Sequence, residues 1–254
     1  MKKQLSRFLF ILVLSSCASK KNLLYFQDAE NSIPAKIEYV NNTLQPNDII
    51  NVKIGALVPE TAIPYNIQTT NSGQQGQNIE LLKLQGYLVG IDGYIVLPIL
   101  GRILVANKTI ASVEKELIRI LENGQHLLSP SVSVRLLNAK VTILGEVNNP
   151  GTYSFTEQFI SIPQALGYAG DLTIQGKRSG ILLVREQDGS RTSSRIDLTT
   201  TYWMNNPEYR VMPNDVIVVN PNRAKVKSSG IVGNIGILMS LVTTLLSITV
   251  LLTR

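Results

Sequence analysis

The C-terminal segment of the chain, residues 231–252, contains no charged side chain across 22 positions. A continuous helix of that length is about 33 Å long, which is enough to cross the ~30 Å hydrocarbon core of a bilayer. We therefore predict a transmembrane helix over residues 230–253.

The small and polar residues of this segment fall mostly on one arc of the predicted helix, and the rest of its surface is mostly aliphatic. In lipid, a stripe of small residues lets helices approach closely and hydrogen-bond to one another. We therefore predict a helix-packing or pore-lining stripe. Alternatively, the helix is a single anchor whose hydroxyl groups bond its own backbone carbonyls. The stripe consists of Gly233, Gly236, Ser240, Thr243, Thr244 and Ser247.

The N-terminal end has the pattern of a secretory signal, with Lys2, Lys3 and Arg7 around the start of an apolar run over residues 8–14. Seven apolar residues are too few to span a bilayer. The run leads into Leu14-Ser15-Ser16-Cys17, which resembles the lipobox of bacterial lipoproteins. We predict a lipoprotein signal peptide over 1–16 and a lipidated tether over 17–43.

Cys17 is the single cysteine of the chain, so an intrachain disulfide and a cysteine-cluster zinc site are excluded. By its resemblance to a lipobox, the cysteine is expected to carry a covalent lipid, palmitate included, and we predict no other cofactor. The alternative is a buried free cysteine beside an ordinary signal peptide. Residue 18 is Ala rather than Asp, which by resemblance to lipoprotein sorting favours the outer membrane.

The formal charge of +6 shrinks once the ends are set aside. Removing the three basic residues of the signal peptide and Arg254 leaves 20 basic and 18 acidic residues. The remaining basic residues are interspersed with acids and lack a ladder of aromatic residues, so nucleic acid is not an expected partner. A mean hydropathy of +0.13 with 17% charged residues excludes a disordered chain.

Residues 44–137 have the pattern of a small α/β module. Alternation through Ile50, Val52 and Ile54 predicts a strand, and residues 59–80 predict a flexible insertion rich in Thr, Asn, Gln and Gly. Asp92-Gly93 predicts a hairpin between runs at 87–91 and 94–97. A helix capped by Thr109 and ended by Gly124 follows, and then a strand over 131–137.

Residues 138–222 predict a compact β-rich domain with one short helix, which Pro163 begins and Gly170 ends. The sequence Pro-Asn-Asp precedes a strand in both modules, at residues 46–48 and 213–215. Nine similar residues are too few to prove a duplication, so we interpret this repeat as a shared turn device.

We predict that the chain is not an enzyme and has neither catalytic residues nor a metal site. Glu114 and Glu116 lie two residues apart and point to different faces of a helix. His126 has no candidate partner near it in the sequence. Gly176-Lys177 is followed by Arg178 instead of the Ser or Thr of a phosphate-binding loop.

Several motifs occur in an order that resembles one family. Residues 93–101, with Pro130-Ser131-Val132-Ser133-Val134, resemble the polysaccharide export domain of outer-membrane capsule and exopolysaccharide export lipoproteins. Residues 145–153, 165–171 and 213–215 resemble the β-grasp soluble-ligand-binding domain that follows it. The expected fold class is therefore α+β: a small α/β export module at 44–137, a β-grasp-like domain at 138–222 and a C-terminal transmembrane helix.

The resemblance implies a homo-oligomeric ring with a periplasmic body, lipid-anchored to the outer membrane through Cys17. Such a ring would be a passive conduit for transport of a capsular polysaccharide or exopolysaccharide. An inner-membrane polysaccharide co-polymerase would be its partner, and the C-terminal helices would cross the membrane together. The alternative function is a membrane-anchored periplasmic lipoprotein that binds sugar or a partner without forming a pore.

Overall fold

The computed structural model describes residues 23–31, 42–67, 83–187, 189–228 and 235–252. The predicted signal peptide at 1–16, Cys17 and Gly233 lie outside the described residues. Within these ranges the chain combines helices with several β-sheets, which confirms the predicted α+β class. We call residues 44–137 the first module and residues 138–222 the second module.

The first module is built on a three-stranded antiparallel sheet in which β1 is the central strand, between β2 and β5. Every second residue of β1 is buried, as the alternation of Ile50, Val52 and Ile54 predicts. A separate hairpin joins β3 to β4. The elements are β1 (Ile49–Gly55), α1 (Pro59–Ala62), β2 (Tyr87–Leu88), β3 (Tyr94–Leu97), β4 (Gly101–Leu104), α2 (Ile110–Asn123) and β5 (Ser131–Leu136).

Helix α2 forms as predicted. The Thr109 side chain accepts a hydrogen bond from the Ser112 backbone N–H, and Gly124 ends the helix. Val113, Leu117 and Leu121 of α2 are buried in the core of the first module. The helix packs against β5 and so covers the sheet.

The hairpin predicted at Asp92-Gly93 is wrong in its pairing. The chain turns there, with Gly93 at φ +83°, but β2 pairs with β1 and β3 pairs with β4. The turn of the observed hairpin lies between β3 and β4, at residues 98–100, where Ile99 adopts φ +63°. A β-branched residue rarely adopts this conformation, and the usual turn residues of the sequence, Pro98 and Gly101, lie on either side of it.

The flexible insertion predicted at 59–80 is also wrong in its first part. Residues 59–65 form α1 and a 3₁₀ turn (Ile63–Tyr65), and Ala62 and Tyr65 are buried in the core of the first module. The Asn66 side chain bonds the backbone of Ile54 in both directions, at 2.9 Å each. Residues 68–82 lie outside the described residues.

The second module contains a five-stranded mixed sheet of order β10-β9-β12-β6-β7. Strand β6 comes first in the sequence of this module and β12 comes last, and the two lie side by side and parallel in the sheet. This topology agrees with the predicted β-grasp-like domain. The elements are β6 (Lys140–Gly145), β7 (Gly151–Ser154), β8 (Ile160–Ser161), α3 (Ile162–Tyr168), β9 (Ser179–Gln187), β10 (Ser190–Asp197), β11 (Arg210–Val211) and β12 (Val216–Val219).

Helix α3 covers the core of the second module. Ser161 and Gln164 form a reciprocal capping box, Pro163 lies in the first turn, and Gly170 follows the helix at φ +72°. Ile162, Ala165 and Leu166 are buried against the sheet. The sequence therefore predicted this helix and both of its ends correctly.

The C-terminal region contains two helices, α4 (Arg223–Ser228) and α5 (Ile235–Leu252). The predicted transmembrane helix over 230–253 is not supported, because the described residues contain no helix that is both long and apolar enough to cross a membrane. Helix α5 has 18 residues and is therefore about 27 Å long rather than the 33 Å expected for the uncharged segment.

Candidate functional site

The described part of the predicted stripe lies on α5, and the hydroxyl groups of Thr243, Thr244 and Ser247 are satisfied within the helix. Thr243 donates to Met239 O and Ser240 O at 2.9 Å, Thr244 donates to Ser240 O at 2.7 Å, and Ser247 donates to Thr243 O at 2.8 Å. These bonds correspond to the alternative interpretation of the hydroxyl groups. Gly236, Ser240 and the three donors are all exposed, so a role of the stripe in helix packing stays a prediction.

The two Pro-Asn-Asp sequences form the same turn. Asn47 and Asn214 adopt φ +71° and +68°, a left-handed conformation that Asn tolerates. In each turn the following Asp is buried and accepts a hydrogen bond from the backbone N–H three residues earlier, at 2.9 Å for Asp48 and 2.8 Å for Asp215. The interpretation of the repeat as a shared turn device is therefore confirmed.

The two aspartates differ in their charge partners. Arg185 donates from Nε and Nη2 to the two carboxylate oxygens of Asp215, at 3.0 and 2.7 Å. Among the described residues no ammonium or guanidinium group forms an ion pair with Asp48. Burial raises the pKa of Asp48 to about 6, and the Gln45 N–H opposes this increase.

Both turns line one small cleft between the two modules. The cleft has a volume of about 30 Å³, room for one or two water-sized groups. The buried Thr43 hydroxyl has no hydrogen-bond partner within the described part of the chain. Seven of the nine lining residues have polar side chains, and the other two are Met212 and Pro213: the polar ones are Asn42, Thr43, Gln45, Asp48, Glu186, Gln187 and Asn214.

Two of the sequence motifs meet on the second module. The Asn148 side chain donates to Gly170 O at 2.6 Å, which ties the turn at 148–151 to the end of α3. Tyr153 and Tyr168 lie beside each other with ring centroids 6.3 Å apart, and Tyr168 is 41% exposed. The turn at 148–151 and the end of α3 therefore form one continuous surface.

Residues 23–31, which we call the strap, pack against the second module. The Tyr25 hydroxyl donates to Asp171 at 2.6 Å, and the Arg178 guanidinium lies 5.5 Å from the centroid of its ring. The Phe26 ring lies 6.4 Å from Trp203. Burial, and then the bond to Asp171, raise the pKa of Tyr25 well above its usual value. The strap was predicted only as part of a tether, because its partners are more than 140 residues away in sequence.

Neither Arg178 nor Arg185 was predicted to be buried. Arg185 is one of the basic residues interspersed with acids, and Arg178 was considered only as the residue that follows Gly176-Lys177. Arg178 is 6% exposed and donates to Thr173 O and Gly176 O, both at 2.8 Å. Arg185 lies on the same face of β9 as the buried Ile181 and Leu183. A charged residue within such a strand was the available signal for a buried ion pair.

The acidic pair and the histidine have separate structural partners. Glu114 accepts from the Val134 N–H at 2.8 Å, whereas Glu116 pairs with Lys108. His126 is exposed and bonds the Tyr65 hydroxyl at 3.2 Å. Across the described ranges, no group of three or more His, Cys, Asp or Glu side chains is placed to hold a metal ion.

Comparison with known proteins supports the sequence resemblance. Residues 38–137 match the model of polysaccharide biosynthesis/export proteins, and residues 140–194 match that of the SLBB domain. The chain is 35% identical over 106 residues to the EPS I polysaccharide export outer membrane protein EpsA of Ralstonia nicotianae (strain ATCC BAA-1114 / GMI1000). This match covers 40% of the chain and 27% of the relative.

The protein of the same name from Ralstonia solanacearum is 29% identical over 132 residues, which are 50% of this chain and 34% of that relative. The chain thus aligns with about a third or less of the length of these relatives. Two consecutive domain matches and the motifs that carry them agree with one another, and the chain therefore belongs to the polysaccharide biosynthesis/export protein family.

Proposed function

We propose that this protein is a subunit of an outer-membrane translocon that exports a capsular polysaccharide or exopolysaccharide. The observation that carries the proposal is the succession of an export domain and an SLBB domain in one chain. Relatives that share these residues are named as polysaccharide export outer membrane proteins. The subunits would form a homo-oligomeric ring, and the ring would be a passive conduit.

The lipid of Cys17 is the proposed anchor, with both modules in the periplasm. The lipobox-like sequence supports this assignment, as does the strap, which begins on the second module only six residues after Cys17. Because no nucleotide-binding motif occurs in the sequence, the driving force must come from chain growth or from an inner-membrane polysaccharide co-polymerase.

The ring is tested by purifying the full chain in a mild detergent and measuring its mass by light scattering and its shape by electron microscopy. We expect a closed ring of identical subunits. A stable monomer over a range of protein concentrations would contradict the translocon. Surface polysaccharide should disappear when the gene is deleted and return with the wild-type chain.

The anchor is tested separately with Cys17→Ala, which removes the thiol that would be acylated. We expect this variant to incorporate no labelled palmitate and to leave the outer-membrane fraction. Ser16→Ala is the matched control, because it keeps a small residue beside an intact Cys17. If Cys17→Ala and the control occur in the outer-membrane fraction to the same extent, the proposed lipid anchor is wrong.

One observation favours the alternative, a lipoprotein that binds sugar or a partner without forming a pore. The hydroxyl groups of Thr243, Thr244 and Ser247 bond their own helix, so these three do not require a neighbouring subunit. The alternative predicts a monomer in detergent and normal surface polysaccharide after deletion of residues 230–254. Loss of export in that truncation, with the lipid retained, favours the translocon.

A further inference from the structure

One end of the second module presents apolar side chains to solvent. Leu24 of the strap is 55% exposed, Ile174 is 70% exposed, Tyr202 is 78% exposed and Val226 of α4 is 58% exposed. Single exposed apolar residues are common, but a cluster at one place on a domain marks an interaction surface.

Contacts connect these residues into one continuous surface, which we call the end surface. Tyr202 adjoins Trp203, on which the strap packs through Phe26. Arg178 joins the strap to the next loop, because its guanidinium lies over Tyr25 and donates to Thr173 O. Asn222, just before α4, then donates to Ile174 O at 3.2 Å.

Helix α4 and the loop beside it form the basic part of the end surface. Helix α4 contains Arg223, Lys225 and Lys227 and no acidic residue, and Lys177 is exposed in the adjoining loop. Of the nearby acids, Glu146 pairs with Lys225 at 3.0 Å and bonds the Thr173 hydroxyl at 3.1 Å. Asp171 accepts from Tyr25. The strap also contains Asp28, which accepts from the Thr201 N–H at 2.7 Å, and the exposed Glu30, so the positive charge is confined to α4 and Lys177. Exposed Tyr and aliphatic groups beside Lys and Arg are typical of a surface that lies on anionic lipid.

The end surface is close in sequence to the proposed lipidation site and to the apolar helix α5. Five residues separate Cys17 from Leu23, so Cys17, the proposed lipidation site, can lie no farther than about 20 Å from the strap. The apolar helix α5 begins seven residues after Ser228, the last residue of α4. We infer that the end surface binds the headgroups of an anionic phospholipid membrane directly. Only the Cys17 part of the argument rests on the proposed function.

Trp203 is the single tryptophan of the chain and lies beneath Phe26 at this surface, so its fluorescence reports on the contact. The test uses the full chain with Cys17→Ala, reconstituted into vesicles that contain brominated phosphatidylcholine, with or without phosphatidylglycerol. We expect stronger quenching of Trp203 in the vesicles with phosphatidylglycerol. High salt should remove the difference, because it screens exposed charges.

The variant Arg223→Gln/Lys227→Gln should lose the phosphatidylglycerol-dependent part of the quenching. Its matched control, Lys53→Gln/Arg191→Gln, removes two exposed positive charges elsewhere and should keep that part. Leu24→Ser/Tyr202→Ser should reduce quenching in both lipid mixtures. Helix α5 is present in every variant, so its own lipid affinity cancels in the comparison.

Equal quenching in the two lipid mixtures would overturn the inference, and so would an equal loss in the charge control. Quenching that appears only after addition of a second protein would assign the surface to a protein partner instead. The assay measures only the quenching of Trp203 by lipid and does not measure polysaccharide export. A failure of the translocon proposal would leave the quenching unchanged, and a failure of the inference would leave export unchanged.

Discussion

At the residue scale, the two Pro-Asn-Asp turns show how one short sequence acquires two electrostatic environments. Both turns place an aspartate in a buried position, at 4% exposure for Asp48 and 1% for Asp215. Asp215 faces Arg185 from β9, whereas Asp48 faces the small polar cleft between the modules. The backbone geometry follows from the local sequence, and the charge balance follows from a distant strand.

The raised pKa of Asp48 predicts a pH-dependent stability. Its folded-state pKa of about 6 exceeds the ordinary value of 3.8, so its contribution to stability is present below pH 4 and is lost as the pH rises through 6. The side chain of the Asp48→Asn variant cannot ionise. The free energy of unfolding of the variant minus that of the wild type should therefore increase between pH 4 and pH 7, by at most about 3 kcal/mol. Urea unfolding over this range measures the difference.

The exposed substitution Asp92→Asn controls for general effects of charge and should show no such trend. A difference between Asp48→Asn and the wild type that is the same at every pH would contradict the prediction.

Arg185→Met should lower the free energy of unfolding by about 3–5 kcal/mol, because it leaves the buried Asp215 without a cation. The double variant Arg185→Met/Asp215→Asn should recover part of this loss, since it also removes the stranded charge. Arg191→Met breaks the exposed pair with Glu186, whose side chains are 73% and 63% exposed, and should have little effect. Equal losses for the two arginine variants in urea unfolding would be inconsistent with a stabilising buried pair.

At the element scale, the strap is held by ring packing and by main-chain bonds. The N–H groups of Phe26 and Gln27 donate to Leu198 O and Thr199 O, at 3.0 and 2.8 Å. Asp28 accepts from the Thr201 N–H at 2.7 Å. A segment close to the proposed lipid is thus part of the second module rather than a loose tether.

Phe26→Ala should release the strap, because it removes a ring packed on Trp203. We expect faster proteolytic cleavage within residues 23–31 and a red shift of Trp203 fluorescence as water reaches the indole. Leu24→Ala, at a largely exposed position, should change neither readout. Unchanged cleavage in Phe26→Ala would show that the main-chain bonds alone hold the strap.

The α5 stripe gives a second prediction at this scale. If exposed small residues allow helices of neighbouring subunits to approach, Ser240→Trp/Thr244→Trp should disrupt the oligomer in detergent, since bulky side chains separate the helices. Val242→Trp lies on a different face and should preserve the oligomer. Light scattering distinguishes the two results, and an intact oligomer in the stripe variant would remove the packing role.

At the scale of the whole molecule, the two hydrophobic cores meet at the junction of the modules. Leu136 packs against both cores. Asn138 accepts from the Ile49 N–H and donates to Asn47 O, both at 2.9 Å. A single amide therefore joins the start of the second module to the first Pro-Asn-Asp turn.

Asn138→Ala should lower the free energy of unfolding by about 1–3 kcal/mol, because it leaves a half-buried N–H and a carbonyl without their partner. Hydrogen exchange of Ile49 should accelerate more than that of residues in the second sheet. Asn123→Ala, at the exposed end of α2, is the control. Uniform acceleration across both modules would contradict a local role for Asn138.

The sequence predicted the elements whose signals are local. The cap at Thr109, the ends of α3 at Pro163 and Gly170 and the alternation of β1 depend on neighbouring residues alone, because caps and strand faces are set within a few positions. It failed at β10, which has mostly exposed polar residues and forms only because it pairs with β9. It also failed at the hairpin of β3 and β4, whose turn places Ile99 rather than Gly or Asn in a left-handed conformation.

The sequence by itself also determined the family, because the motifs of both domains occur in order along the chain. Tertiary structure alone decided which charged side chains form ion pairs and which distant segments contact one another. The pairing of Arg185 with Asp215, the docking of Tyr25 beside Asp171 and the meeting of the two turns in one cleft all join residues distant in sequence. Such contacts depend on the burial of whole sheets and helices, which no local pattern encodes.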